Sequence, residues 1–436
     1  VAGRGAPERA GGHPEAHVVG AGLAGLSSAL RLAERGYAVT VHEATDHAGG
    51  RCRSFYEPRL EREIDNGNHL VLTGNGSVAA YVATIGAGDR LRAADRAAFP
   101  FAEPPSGKRW TVDMNRGPLP WWVAVPNRRI PDTGLGDYLA GARLALAGAD
   151  ATVAEALPGR GPIWTRFWEP MTLAALNTTP ERGAARLLWA VMRETFARGE
   201  RHCRPMFAPE GLGAALVGPA LAHLEAIGAR IRFKRALAAV ERGDGRATAL
   251  LFSGGERLAL GPRDQAVLAL PPTRLRAALP EVDAPEDRAA IVNAHFVVPD
   301  AAALADAPPI LGLIGTKTHW VFTRGDVVSL TISAADRLGL AEADGEALLA
   351  ELWEETRAGL GLGPMRPLAA RLIREKRATF DQSPAGVRRR PQPRTPLRNL
   401  TLAGDATDTG LPATIEGAIR SGERAAALVP AAAAAP

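Results

Sequence analysis

The feature that most constrains this chain is Gly20-Ala21-Gly22-Leu23-Ala24-Gly25, three glycines spaced GxGxxG between two apolar segments. The run His17-Val18-Val19 before it reads as a buried parallel strand. After it, Leu23 to Arg35 carries Leu23, Leu26, Leu30 and Ala33 at helical spacing, and Gly36 stands where a helix ends. Ala38 to Val41 is the next strand, so the segment is β-α-β with short, right-handed connections. In such a unit the first glycine permits a tight turn and the second lets backbone approach a pyrophosphate. The third lets helix and strand pack closely, while the helix N-terminus faces the anion. Glu43, with Ala44 beside it, closes the second strand, where a carboxylate accepts hydrogen bonds from adenosine ribose hydroxyls. An acid there disfavours a 2′-phosphate, so NADP is not expected. The motif alone leaves NAD and FAD open.

A length of 436 residues exceeds one compact core, and two domains are expected. The net charge of +5 comes from scattered arginines with no aromatic-interleaved basic patch, so no nucleic-acid partner is expected. Mild attraction to anionic lipid headgroups remains open. Two cysteines, Cys52 and Cys203, make neither a disulfide framework nor a metal cluster. We expect no metal site and a reducing cytoplasmic setting. No apolar run reaches the roughly 18 residues of a membrane span. Residues 1–16 lack the apolar core of a signal peptide and read as a disordered leader; residues 429–436 read as a disordered tail.

Further along, residues 212–227 read as a helix, and 229–233, 236–241, 265–270 and 399–403 as strands. A loop then leads to a helix over residues 413–427. Two tracts, 80–205 and 272–393, are richer in Trp and Pro and carry no nucleotide signal. The expected fold class is α/β. A discontinuous Rossmann-type domain (17–79, 206–271 and 394–428) would carry an inserted α+β substrate domain (80–205 and 272–393).

Gly49-Gly50-Arg51 follows Glu43 closely, offering flexible backbone and an arginine able to reach phosphates. The stretch from Ala21 to Ser54 resembles the flavin amine oxidase, phytoene desaturase and protoporphyrinogen oxidase superfamily. The resemblance implies FAD, with Glu43 on the adenosine ribose and Gly49, Gly50 and Arg51 lining the cofactor. Near the other end, LAGDATDTGLPATIEGAIRSGERAA is similar to the superfamily's flavin signature. By that resemblance Asp405, beside Gly404, binds the ribityl or phosphate region, while Thr414-Ile415-Glu416-Gly417-Ala418 opens a helix. Backbone N–H groups at that helix start would stabilise charge on the flavin's pyrimidine edge. A structural or flavin-ribose role is expected for Glu416. Leu237 is implied as an adenine-side contact, and a plain core leucine fits it equally. Covalent flavin is not expected, because no cysteine follows Cys203; both cysteines read as packing.

Collinear stretches narrow the resemblance to hydroxysqualene dehydroxylases: EIDNGNHLVLTGN (63–75), LPWW (119–122), LAALNT (173–178), CRPMFAPEGL (203–212), IVNAHF (291–296) and EKRATF (375–380). Ala406 departs from the pattern, where a Trp often follows the Gly-Asp pair, and this bears on pocket shape. The branch implies a step of bacterial squalene and hopanoid synthesis, reductive loss of the hydroxyl of hydroxysqualene. Its partners would be a C30 isoprenoid, an unidentified electron donor and a membrane surface reached through the Leu119 to Val125 segment. Asn66, Gly67, Asn68 and His69 would pass the flavin ring. Candidate proton donors are His69, His295 and Asp408, although local backbone would equally satisfy either histidine. Trp110, Trp121, Trp122, Trp164, Trp168, Trp320 and Trp353 line an apolar pocket or simply pack a core. A carotenoid desaturase or amine oxidase remains the alternative, and a non-catalytic FAD-binding protein a more remote one.

Overall fold

The computed structural model describes residues 13–117, 119–157, 159, 161–287 and 289–432. The elements that position the site begin with β1 (Glu15–Val19), α1 (Leu23–Glu34) and β2 (Ala38–His42). The hairpin β3 (Ser54–Glu57) and β4 (Arg62–Asp65) and the helix α2 (Gly76–Thr84) follow. Later come β5 (Gln265–Ala269), β6 (Ala289–Val297), β7 (Val327–Ile332), β8 (Ala369–Thr379), β9 (Leu400–Ala403) and α3 (Ile415–Ala427). The strand Arg230–Arg232, β2, β1, β5 and β9 form, in that order, one parallel five-stranded sheet. Strands from both ends of the chain therefore lie side by side.

Against this sheet α1 and α3 pack at backbone distance. Gly422 allows it, since a Cβ there would stand 2.2 Å from the Ala24 carbonyl oxygen. The small polar face of α1 is used as well: Ser27 Oγ donates to Ile419 O (3.0 Å) and Ser28 Oγ to Gly422 O (3.1 Å). Leu26, Leu30, Ile419 and Ala425 are buried in the core that the two helices share. Each such large side chain stabilises the fold by about 1.5–3 kcal/mol when taken from water.

A second, mixed sheet of seven strands uses β8, β6, β7, Trp320–Arg324, Ile310–Leu313, Ala98–Glu103 and Lys108–Asp113 in that order. Alternation along β6 sends Val292, Ala294 and Phe296 into an apolar core with the helix Gly345–Leu360, where the Phe296 and Trp353 rings lie 5.1 Å apart. Asn293 and His295 point to the opposite face. Trp122, Trp164 and Trp168 are buried in a third core with Phe99 and Phe101. No helix among the described residues is long and apolar enough to cross a membrane.

Four expected limits change. β1 starts at Glu15, whose N–H is held by Asp264 (2.9 Å), and Ala16 is fully buried, so residues 15 and 16 leave the leader; residues 1–12 lie outside the described ones. Val429 is buried and Tyr37 Oη donates to Pro430 O (3.0 Å), so the first part of the tail is folded onto α1; residues 433–436 lie outside the described ones. The divisions at 79/80 and 271/272 also separate residues that pack into one core. Tyr81, Val82, Ile85 and Leu91 belong to the α1–α3 core, and Leu275 and Leu279 to the core under β5. A helix spans the first point and another starts at Pro272, directly after the second, and their apolar faces carry the core past the change in composition.

Candidate functional site

The glycine turn divides its labour by packing. A Cβ on Gly20 would meet the Ala269 carbonyl oxygen at 2.4 Å, and one on Gly25 would meet the Gly20 carbonyl oxygen at 1.8 Å. Those two glycines hold helix to strand. Gly22 has nothing within 4 Å of its missing Cβ, and it caps α1 with no side-chain hydrogen bond and no acid in the first turn. Leu23 and Ala24 open that bare helix end. Gly49 bridges to Gly22, its N–H donating to Ala21 O (2.8 Å), and Gly50 folds beside it at φ 54°. A side chain at Gly22 would fill this cradle, and a pyrophosphate fits it.

Glu43 lies at the cradle's edge. Its carboxylate accepts the Ala21 N–H (2.8 Å) and the Thr45 N–H (3.0 Å), which aims it beyond the strand end with Ala44 following. The segment leading into Leu237 runs alongside, with Arg235 N–H donating to Glu43 O (2.7 Å). Leu237 itself packs against the core that holds Val240 and Phe252.

The C-terminal motif reaches the same place. Arg51 donates to Asp405 Oδ1 (2.7 Å) and to Ala378 O (2.5 Å), joining the two motifs and the end of β8. Gly404 N–H donates to Ser421 Oγ (2.8 Å), tying the loop to α3. Thr414 caps α3, its Oγ1 accepting the Gly417 N–H (3.0 Å) and its carbonyl the Ala418 N–H (2.9 Å). Among the described residues no protein acceptor meets the N–H of Ile415 or Glu416, which stay available to an anion.

Of the two roles expected for Glu416, its protein partners match the structural one. Its buried carboxylate accepts the N–H groups of Ser77 (3.0 Å) and Val78 (3.0 Å) at the start of α2, and Arg420 (2.7 Å). Successive helix residues point about 100° apart, so the side chain after Ile415 turns away from the cradle. Asp408 is also committed elsewhere. It accepts the Gly410 N–H (3.1 Å) and faces Arg390 at 3.7 Å, with no contact to the Asn66–His69 loop.

Arg390 has no counterpart in the sequence reading. Fully buried, it donates to the carbonyls of Asp405 (3.0 Å), Leu411 (2.9 Å) and Thr407, and its guanidinium lies 4.8 Å from the Phe380 ring centre. Burial lowers its pKa to about 10, still leaving it charged at neutral pH. It holds the loop that carries Asp405 and Ala406. Its only sequence trace is a run of three arginines, which names no partner.

Beyond Arg51 the chain passes Asn66, Gly67, Asn68 and His69. Asn66 is buried while Gly67 to Leu70 stay half-exposed, and Asn66 N–H donates to Arg53 O (2.9 Å). Burial lowers the pKa of His69, against a smaller opposing effect of its hydrogen bond with the Arg51 backbone. Its Nε2 stands 3.4 Å from where a Gly67 Cβ would be, and Asn293 Nδ2 lies 3.7 Å from the same point. His295 sits one pair further along β6. Its Nδ1 is 2.7 Å from Ser329 Oγ, Nε2 is buried without a partner, and burial takes its pKa down to about 4. Of the three proposed donors, only His69 is brought to the half-exposed loop beside Arg51. Asn293 and Thr331 were missed; the alternation of IVNAHF, which puts Asn293 and His295 on one face, was the available signal. Cys52 and Cys203 are both buried, and burial raises both thiols, Cys203 to about 12.

Residues 23–430 match the family described as flavin containing amine oxidoreductase. Hydroxysqualene dehydroxylase of Rhodopseudomonas palustris is 44% identical over 95% of this chain and 97% of its own. The enzyme of the same name from Sinorhizobium fredii is 43% identical over 94% and 97%. The chain belongs to the hydroxysqualene dehydroxylases of the flavin-containing amine oxidoreductase family. It is an FAD-dependent oxidoreductase. Solved structures share the fold at low identity. Cyclohexylamine oxidase from Brevibacterium oxydans superposes with a TM-score of 0.70 at 15% identity, over 96% of this chain and 99% of its own. A putrescine oxidase variant does so at 0.68 and 16%, over 95% and 98%.

Proposed function

We propose that this chain reductively removes the hydroxyl of hydroxysqualene to give squalene. One observation carries the reading: end-to-end similarity, at 38–44% identity, to hydroxysqualene dehydroxylases of three bacteria. The hydroxyl carbon is allylic, so a C–O bond breaks with the oxygen leaving as water, and a C–H bond replaces it. Reduced FAD, when bound, supplies the hydride for that exchange. An external reductant must restore two electrons for each turnover.

The chain's own residues divide the remaining work. Gly22, Gly50 and the start of α1 take the pyrophosphate, Glu43 the adenosine ribose, and Arg51 and Asp405 the middle of the cofactor. The N–H groups of Ile415 and Glu416 face its pyrimidine edge. FAD is held non-covalently, since Cys52 and Cys203 are core residues. Residues around the five-stranded sheet make the nucleotide half, and the seven-stranded sheet the substrate half. His69 is the proton donor to the leaving hydroxyl, whereas His295, fully buried and bonded to Ser329, ties β6 to β7.

Reduced holoprotein incubated anaerobically with hydroxysqualene should yield squalene; no turnover with a competent reductant overturns the assignment. Rapid bleaching of oxidised flavin by phytoene or a simple amine would favour desaturation or amine oxidation instead. Both late lysines speak against an amine site: Lys317 pairs with Glu351 and Lys376 with Glu342, all on the surface.

The substrate is a membrane hydrocarbon, and a surface suited to reaching it is present. Leu119 and Trp121 are 76% and 52% exposed, and Leu139 on the adjoining helix Leu135–Leu139 is 76% exposed. Arg128 lies 5.0 Å from the Trp121 ring centre. Apolar side chains rimmed by arginine suit the interface of an anionic bilayer, and we assign peripheral membrane contact to this face.

A further inference from the structure

We infer that Asn68, locked in orientation by Thr331 and Asn293, recognises the substrate's hydroxyl and lets the site distinguish the alcohol from its hydrocarbon product. This rests on the reading that the substrate is a hydroxylated isoprenoid. A sheet that serves a C30 chain has no use for buried polarity on its substrate face. Yet Asn293, His295, Ser329 and Thr331 stand together on one face of β6 and β7, each less than a tenth exposed. Buried polar groups are costly unless bonded, so the pattern calls for a reason.

The bonds run in one direction. Asn68 Nδ2 donates to Leu330 O (3.2 Å) and to Thr331 Oγ1 (3.1 Å). Thr331 Oγ1 donates in turn to Asn293 Oδ1 (2.8 Å), and Asn293 Nδ2 donates to Asn66 O (3.3 Å). Both donors of the Asn68 amide are thereby drawn to the sheet, and its oxygen is turned away from it. Among the described residues no donor meets that oxygen, and Asn68 is half-exposed next to His69. An alcohol has one O–H and two lone pairs. Donating its hydrogen to Asn68 Oδ1 leaves both lone pairs free to accept a proton as the oxygen departs. Squalene has no O–H, so after turnover the Asn68 acceptor is left unpaired and the product is released.

The test uses oxidised holoenzyme, which binds without turning over, with flavin absorbance reporting occupancy. Wild type should bind hydroxysqualene roughly tenfold more tightly than squalene, the effect of one well-placed hydrogen bond to a built site. In Asn68→Leu and Thr331→Val, compared with wild type at equal FAD occupancy, the ratio should fall towards one, whereas Thr331→Ser should restore it. Wild type without an alcohol preference, or both variants keeping it, overturns the inference. Preference intact but no squalene formed by the reduced wild type overturns the reaction and leaves the recognition standing.

Discussion

Arg390 shows how one side chain organises a loop that has no regular structure of its own. Its fork meets the carbonyls of Asp405, Thr407 and Leu411, groups that would otherwise be buried without donors. Arg390→Met should therefore cost about 3–5 kcal/mol and lower FAD content, read by denaturant unfolding and flavin absorbance. Arg390→Lys should not restore it, because an ammonium lacks the planar fork; full rescue by lysine would sink the account. His42 sets a different expectation. Fully buried beside His17 and Phe252, its pKa falls to about 3, chiefly from desolvation. The unfolded chain protonates it near pH 6.5. Stability from this residue is intact above that value and declines as pH falls towards 3, by about 1.4 kcal/mol per unit. Urea unfolding at pH 6.5 and 5 should thus show a loss of about 2 kcal/mol that shrinks in His42→Phe. Glu43 and Arg51 were legible because backbone motifs announce them. Arg390, Asn293 and Thr331 were not, since their partners are carbonyls and side chains brought together only by the fold.

At the scale of elements, the three glycines of the turn predict opposite outcomes. Gly25→Ala places a methyl 1.8 Å from the Gly20 carbonyl oxygen and should destabilise the apoprotein by about 3 kcal/mol or more. Gly22→Val, at φ −74° with open space around it, should leave apoprotein unfolding within about 0.5 kcal/mol of wild type. FAD uptake should nonetheless fail, because the side chain fills the cradle. Equal loss of stability in both variants would contradict this division. The strands and helices around the turn were legible from periodicity. The structural alternative expected for Glu416 has its reason at this same scale. Its motif marks a helix start correctly, but facing is decided by α2, which packs on α3 with its N–H groups towards that carboxylate.

For the molecule as a whole, an α/β fold whose first and last segments share one sheet was legible, because the glycine motif and the flavin signature must meet. Their boundaries were not, since packing rather than composition sets them. The exposed apolar face belongs to this scale. Vesicles rich in anionic lipid should float with wild-type protein at low salt and lose Leu119→Ser/Trp121→Ala, with FAD content unchanged. Equal flotation of both proteins would remove that face from the membrane account. The link between Arg51 and Asp405, 354 positions apart, has a further consequence during synthesis. Until β9 and α3 leave the ribosome, β5 presents an unpaired edge and α1 an uncovered apolar flank. The nascent chain must be shielded until those elements emerge, and it can take up its chromophore only after them.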